Sequence, residues 1–188
     1  MLRNLAFLSG LFAAAASAAP APADPSMLPL FQKTCLNGDL TRAAREAAII
    51  ADGGWTAEPA APVHFDQLGT VKSLSPIYDF KKPADLKSWS RSVDGKTVRI
   101  VLATYNPKKS AYSTACALVV PNVKNVFAYY DGYKELMKSV GLKGKSNDLP
   151  HYFEFSGRLA DGRKARGDLF SRSQVTGDRD TMHIYIAF

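Results

Sequence analysis

The sequence predicts a single α+β domain, an antiparallel sheet of about six strands with helices packed on one face and one disulfide. Three observations carry this. Two Asp-Gly pairs, Asp94-Gly95 and Asp161-Gly162, each sit between strand-like runs, the pattern of tight hairpins. Between them, residues 123–140 repeat apolar side chains at helical spacing. Strands and helices do not alternate one for one, as a parallel sheet would require.

Residues 1–18 read as a secretory signal peptide: Arg3 precedes an apolar run from Leu5 to Ala16, and Ala16-Ser17-Ala18 offers a small-residue exit. The run is shorter than the roughly 20 apolar residues of a membrane span, and Pro20, Pro22 and Pro25 follow it. Residues 19–26 are then a disordered Ala/Pro lead-in, and 27–188 form the domain, long enough to bury a core. The expected location is the periplasm or the outside of the cell, with no transmembrane segment in the mature chain.

In such a compartment the two cysteines, Cys35 and Cys116, are expected to pair. A loop of about 80 residues closed in this way stabilises by about 4–5 kcal/mol in the chain-entropy model. A catalytic thiol would need a helix N-terminus or a neighbouring base, and the sequence shows neither beside these cysteines.

The formal charge is +7, or +6 once Arg3 leaves with the leader. A basic surface on an exported chain favours anionic partners such as lipid headgroups or acidic polysaccharides, and nucleic acid is not expected.

Along the chain, Pro29 starts a short helix that puts Phe31 and Cys35 on one face, and Asn37-Gly38 breaks it. Asp39 is the expected N-cap of a second helix over 40–51, with Leu40, Ala43, Ala44, Ala47 and Ile50 on its apolar side and Gly53-Gly54 at its end. Residues 55–62 read as a surface crossing. Residues 63–80 are ambiguous between strand and loop, and 83–86 suggest one helical turn. The first hairpin joins 88–93 to 96–105 and sets Trp89 opposite Ile100, so Trp89, Val98, Ile100 and Leu102 share the core face, while Ser88, Ser90, Ser92 and Arg99 share a wet one.

A third strand spans 114–120, with Cys116, Leu118 and Val120 on one face. Asn122 is the expected cap of the helix from Val123, whose stripe is Val123, Val126, Phe127, Tyr130, Met137 and Val140, with Gly141 closing it. Residues 143–148 read as a polar loop. The second hairpin joins 152–159 to 164–171. A two-residue turn there would place Asp168 opposite Phe155 on the core face, so a bulge near Gly167 is expected to seat Leu169 there instead. The last strand, 181–188, alternates with Met182, Ile184, Ile186 and Phe188 inward.

No catalytic signature emerges. His64, His151 and His183 lack metal-ligand spacing, no GxSxG elbow or glycine-rich phosphate loop occurs, and no two carboxylates are singled out, so neither cofactor nor metal is expected. Arg166-Gly167-Asp168 lies inside an expected strand and reads as structural. The expected ligand-binding residues are Tyr152, Glu154, Arg158, His183 and Tyr185, which would share the sheet face opposite the helices. The ordinary alternative is that this face is simply the solvated side of an antiparallel sheet. The basic hairpin tip with Arg163 and Lys164 has the same two readings.

The signal peptide, Phe31 and Cys35, the alanine-rich helix, Gly54-Trp55 and the later Cys116 together resemble small uncharacterised exported proteins of Gram-negative bacteria. That resemblance implies no activity. The function expected is a non-catalytic periplasmic or secreted binding protein for an anionic envelope polymer or another secreted protein. A hydrolase built from scattered residues and a secreted inhibitor or interaction module are the alternatives.

Overall fold

The computed structural model describes residues 27–58, 84–106, 108, 110–123, 125–145, 152–171 and 181–188. The expected leader and lead-in, the ambiguous stretch 63–80, and His64 and His151 lie outside the described residues. Among the described residues no helix is long and apolar enough to cross a membrane.

The described strands form one antiparallel sheet of eight, with the helical segments on one face. They are β1 (Thr56–Glu58), β2 (Asp85–Val93), β3 (Lys96–Thr104), β4 (Thr114–Val120), β5 (Leu142–Lys145), β6 (Tyr152–Arg158), β7 (Lys164–Ser171) and β8 (Met182–Ala187). Their spatial order is β1-β2-β3-β4-β8-β7-β6-β5. Two four-stranded meanders therefore meet at a β4–β8 seam, where Leu118 faces Ile184 and Cys116 faces Ile186. Each meander follows a helical segment and turns at its middle on an Asp-Gly pair.

The expected six strands become eight because both outermost strands escaped the sequence reading. β1 was read as part of a surface crossing and β5 as a polar loop. Both are short, and β5 is Leu-Lys-Gly-Lys, so neither carries an alternating apolar signal; short strands and lysines are usual at exposed sheet edges. The helical turn expected at 83–86 is also corrected, since Asp85 and Leu86 open β2.

The first hairpin has the expected register, Trp89 to Ile100 and Arg91 to Val98. The second does not. Its strands pair Phe155 with Gly167 and Phe153 with Leu169, without the expected bulge. The turn is longer by one residue: Leu159 N–H donates to Arg163 O, and Gly162 takes a φ of 85° that a side chain would resist. That one residue moves Asp168 to the other face, opposite Glu154.

The helical segments are α1 (Met27–Phe31) continuing into a π-helical turn (Gln32–Leu36), α2 (Arg42–Asp52), and α3 (Tyr130–Ser139) entered through a 3₁₀ turn (Val126–Tyr129). The Cys35–Cys116 disulfide ties the π turn to β4, with Cα atoms 5.6 Å apart.

Two helix phases differ from expectation. In α2 the N-cap is Thr41, whose Oγ1 accepts from Ala44 N, and the alanine side faces out, leaving Ile50 65% exposed. The buried side is Arg45 and Ile49. Along that side Arg42 pairs with Asp85, Glu46 with Lys87 and Asp52 with Arg91, so three ion pairs join the helix to β2 beside the core residues Ile49 and Trp89. The spacing of the first two pairs matches, since the helical step from Arg42 to Glu46 advances about 6 Å and the strand step from Asp85 to Lys87 about 6.6 Å.

In the second helical segment Asn122 has a positive φ and Asn125 is the cap, its Oδ1 accepting from Phe127 N. The tighter 3₁₀ turn changes the phase, so Val126, Tyr129, Tyr133 and Met137 face inward while Phe127 is half exposed. Tyr133 Oη donates to Tyr185 O at 2.8 Å, passing Gly167 so closely that a Cβ there would lie 2.5 Å from the hydroxyl. Gly167 is thus the gap through which α3 reaches the sheet.

The face read as wet carries a second buried cluster, Val101, Ala103, Tyr105, Ala115, Ala117, Val119, Phe170, Tyr185 and Ala187. The central strands are apolar on both faces, which is the pattern of a sheet covered on both sides.

Candidate functional site

The structure divides the five expected ligand-binding residues between two places. Tyr152 pairs in register with Phe170, Glu154 with Asp168, and both of those β7 residues pair with β8, at His183 and Tyr185 respectively. Four of the five therefore occupy neighbouring positions across β6, β7 and β8. His183 and Tyr185 are buried there, at 1% and 3% exposure, and the His183 ring stacks on Phe170 with centroids 4.7 Å apart. Arg166 binds both acids of this layer, 3.1 Å from Asp168 Oδ2 and 3.4 Å from Glu154 Oε2. Asp168 is fully buried, so Arg166-Gly167-Asp168 is a structural part of β7.

This layer brings a histidine, a tyrosine and two carboxylates together, but they line neither of the clefts described below. Among the described residues no group of three histidine, cysteine or acidic side chains could hold a metal. Burial pushes the Tyr105 hydroxyl up, away from ionisation, which fits a packing role.

Arg158, at the far end of β6, is exposed and separate from that layer. It lies on the rim of an open cleft of about 570 Å3, formed where the turn after the π segment, the C-terminal end of α3 and the β6–β7 hairpin meet. Each element brings a different chemistry. The first turn supplies Leu36, Leu40 and Asp39, the α3 end supplies Lys138 and Val140, and the hairpin supplies Arg158, Leu159 and Arg163. Leu36, Leu40 and Leu159 are almost wholly buried and make an apolar floor under a charged rim.

Two arginines on that rim are held in place. Arg158 Nη1 donates to Gly162 O at 2.7 Å. Arg163 donates from Nη1 to Leu40 O at 2.8 Å and from Nε to Asp161 Oδ2 at 2.7 Å, so one side chain ties the hairpin to the turn before α2. The Arg163 side-chain and backbone donors hold the Asp161 carboxyl below its ordinary value. Hydrogen bonding from Lys138 likewise holds Glu135 below its ordinary value. A smaller concavity of about 270 Å3 lies on the other side of Arg163, lined by Ser110, Tyr112, Ser113, Lys164 and Phe188.

Arg158, expected on one sheet face with Tyr152, Glu154, His183 and Tyr185, lines this cleft apart from them. Arg163 was noticed only as a basic tip, and its tie to Leu40 O, 123 residues away, has no sequence signal. The remaining cleft residues come from three separated segments and become neighbours only in the fold. Comparison of the chain with models of protein families, with curated proteins and with solved structures finds no match.

Proposed function

We propose that this protein is an exported, non-catalytic binding protein that takes an acidic component of the cell envelope in the cleft edged by Arg158 and Arg163. The observation that carries the reading is the pairing of a concave site of ligand size with two arginines held by backbone carbonyls. A guanidinium already fixed by its neighbours loses little rotamer freedom on meeting a carboxylate or phosphate. Arg163 directs Nε and Nη2 to Asp161 and Nη1 to Leu40 O, so it adds positive charge and single contacts and not a two-bond fork. The formal charge, +7 for the full chain and +6 without Arg3, supports the same choice by drawing anions toward the surface. The signal-like first 18 residues support placement in the periplasm or outside the cell.

Arg158→Gln is the sharpest test, because Arg158 is exposed and its loss leaves the hairpin ladder intact. Binding to vesicles or polymers bearing acidic groups should weaken about tenfold at low salt, the loss of one charge-assisted contact worth about 1.4 kcal/mol. The difference should shrink as salt is added. Equal affinities for the two proteins at low salt would remove the cleft from the mechanism.

A further inference from the structure

Arg163 stands between two concavities, and its position suggests what kind of anion the surface takes. On one side is the larger cleft with Arg158 and Lys138, and on the other the smaller hollow with Lys164. The Arg163 side chain is fixed on three sides: by Leu40 O, by the Asp161 carboxylate, and by the Phe188 ring, whose centroid lies 5.6 Å from the guanidinium carbon. It is therefore a rigid ridge and not a flexible arm, and cationic side chains lie on it and to either side. A single small anion would need only one of these hollows. A linear chain carrying an acid on each unit would use both, with Arg163 beneath its middle.

The linings point to a sugar backbone for that chain. The smaller hollow holds the half-buried Tyr112 ring, suited to the apolar face of a pyranose, and the Ser110 and Ser113 hydroxyls, which bond Tyr112 N and Phe188 O and keep remaining hydrogen-bonding capacity for sugar hydroxyls. The larger cleft has the Leu36, Leu40 and Leu159 floor for carbon-bound hydrogens and places its arginines at the rim. A chain of bare phosphates has no carbon-bound hydrogens to lay on the leucine floor or the Tyr112 ring. Asp39 and the Arg163-paired Asp161 line the same cleft and repel acids, and they set a limit on how densely charged a chain can lie there.

Building on the binding function proposed above, we propose that the two hollows and the Arg163 ridge form one extended groove for an acidic polysaccharide, with uronate-type carboxylates at Arg158, Arg163 and Lys164. The test is calorimetric titration of the disulfide-bonded protein with galacturonic acid, its dimer and its hexamer, alongside maltohexaose and a polyphosphate of similar length. The hexamer should bind at least tenfold more tightly than the monomer, maltohexaose should not bind measurably, and polyphosphate should bind more weakly than the hexamer. Lys164→Gln should lower the hexamer's affinity about fivefold.

Affinity independent of length, or a Lys164→Gln protein equal to the unmodified one, overturns the extended groove while leaving a small-anion cleft standing. Polyphosphate binding more tightly than the hexamer overturns the sugar assignment. Failure of every anion to bind overturns both this inference and the function on which it rests.

Discussion

Arg45 holds together the turn between the π segment and α2. Its side chain is buried and donates to Thr34 O at 3.4 Å, to Asp39 O at 2.9 Å and to Asn37 O, so a single guanidinium satisfies three carbonyls that the chain reversal leaves without helical partners. Burial pulls its pKa down and Asp39 partly restores it. Arg45→Ala removes those donors and leaves a hole, which should cost about 3 kcal/mol. A urea titration measures it, and a loss below about 1 kcal/mol would show that the turn does not depend on this residue. No sequence pattern marks this role. With alanine at positions 43, 44, 47 and 48, α2 reads as apolar on more than one side, and hydrophobic spacing alone selects the wrong one.

At the scale of the element, α2 meets β2 through ion pairs as well as apolar burial. Asp52 is the most heavily engaged of its acids: Oδ1 lies 2.5 Å from Lys33 Nζ, while Oδ2 accepts from Arg91 at 2.6 Å and from Trp55 Nε1 at 3.0 Å. Burial pushes this carboxyl up, but donation from Lys33 and Trp55 and the charges of Arg91 and Lys33 outweigh it, and the group sits below its ordinary value.

A depressed carboxyl stabilises the fold fully above its unfolded pKa of about 3.9, and that stability is lost as pH falls through the lower folded value. The unmodified protein should therefore lose stability on acidification below about pH 4 more steeply than Asp52→Asn, while Asp52→Asn is the less stable at pH 7. Thermal melts at pH 7 and pH 3 measure both; a difference between the proteins that does not narrow with acid would contradict the network.

A sequence signal for this element did exist. Arg42, Glu46 and Asp52 mirror Asp85, Lys87 and Arg91 in sign and order, but the correspondence means little until the strand is known to lie beside the helix. The six longer strands were legible because their apolar residues are numerous and Asp-Gly marks both turns, whereas β1 and β5 offered neither cue.

At the scale of the molecule, two meanders share one core through the β4–β8 seam, and the disulfide fastens the first helical segment to that seam. The paired cysteines lie 81 residues apart, so reduction should lower stability by about 4 kcal/mol on the chain-entropy estimate. Urea midpoints with and without reductant measure this, and coincident midpoints would remove the cystine from the stability of the fold. The pairing was legible because the chain has only two cysteines, one in each partner segment.

The candidate site was less legible for a physical reason. It is assembled from residues 36–40, 138–141 and 158–163, and a sequence pattern reports spacing within an element, not the meeting of three element ends. The sheet face opposite the helices, which charge and aromatic content had made attractive, is instead a second buried layer around Phe170, His183 and Tyr185.

On the function proposed above, an acidic ligand meets the protein in the cleft beneath Arg158 and Arg163. Backbone amide shifts recorded by NMR during titration with an acidic hexasaccharide should change chiefly at residues 36–40, 138–141 and 158–164. Shifts confined to other parts of the sheet, or none at saturating ligand, would show that the cleft is not the binding site.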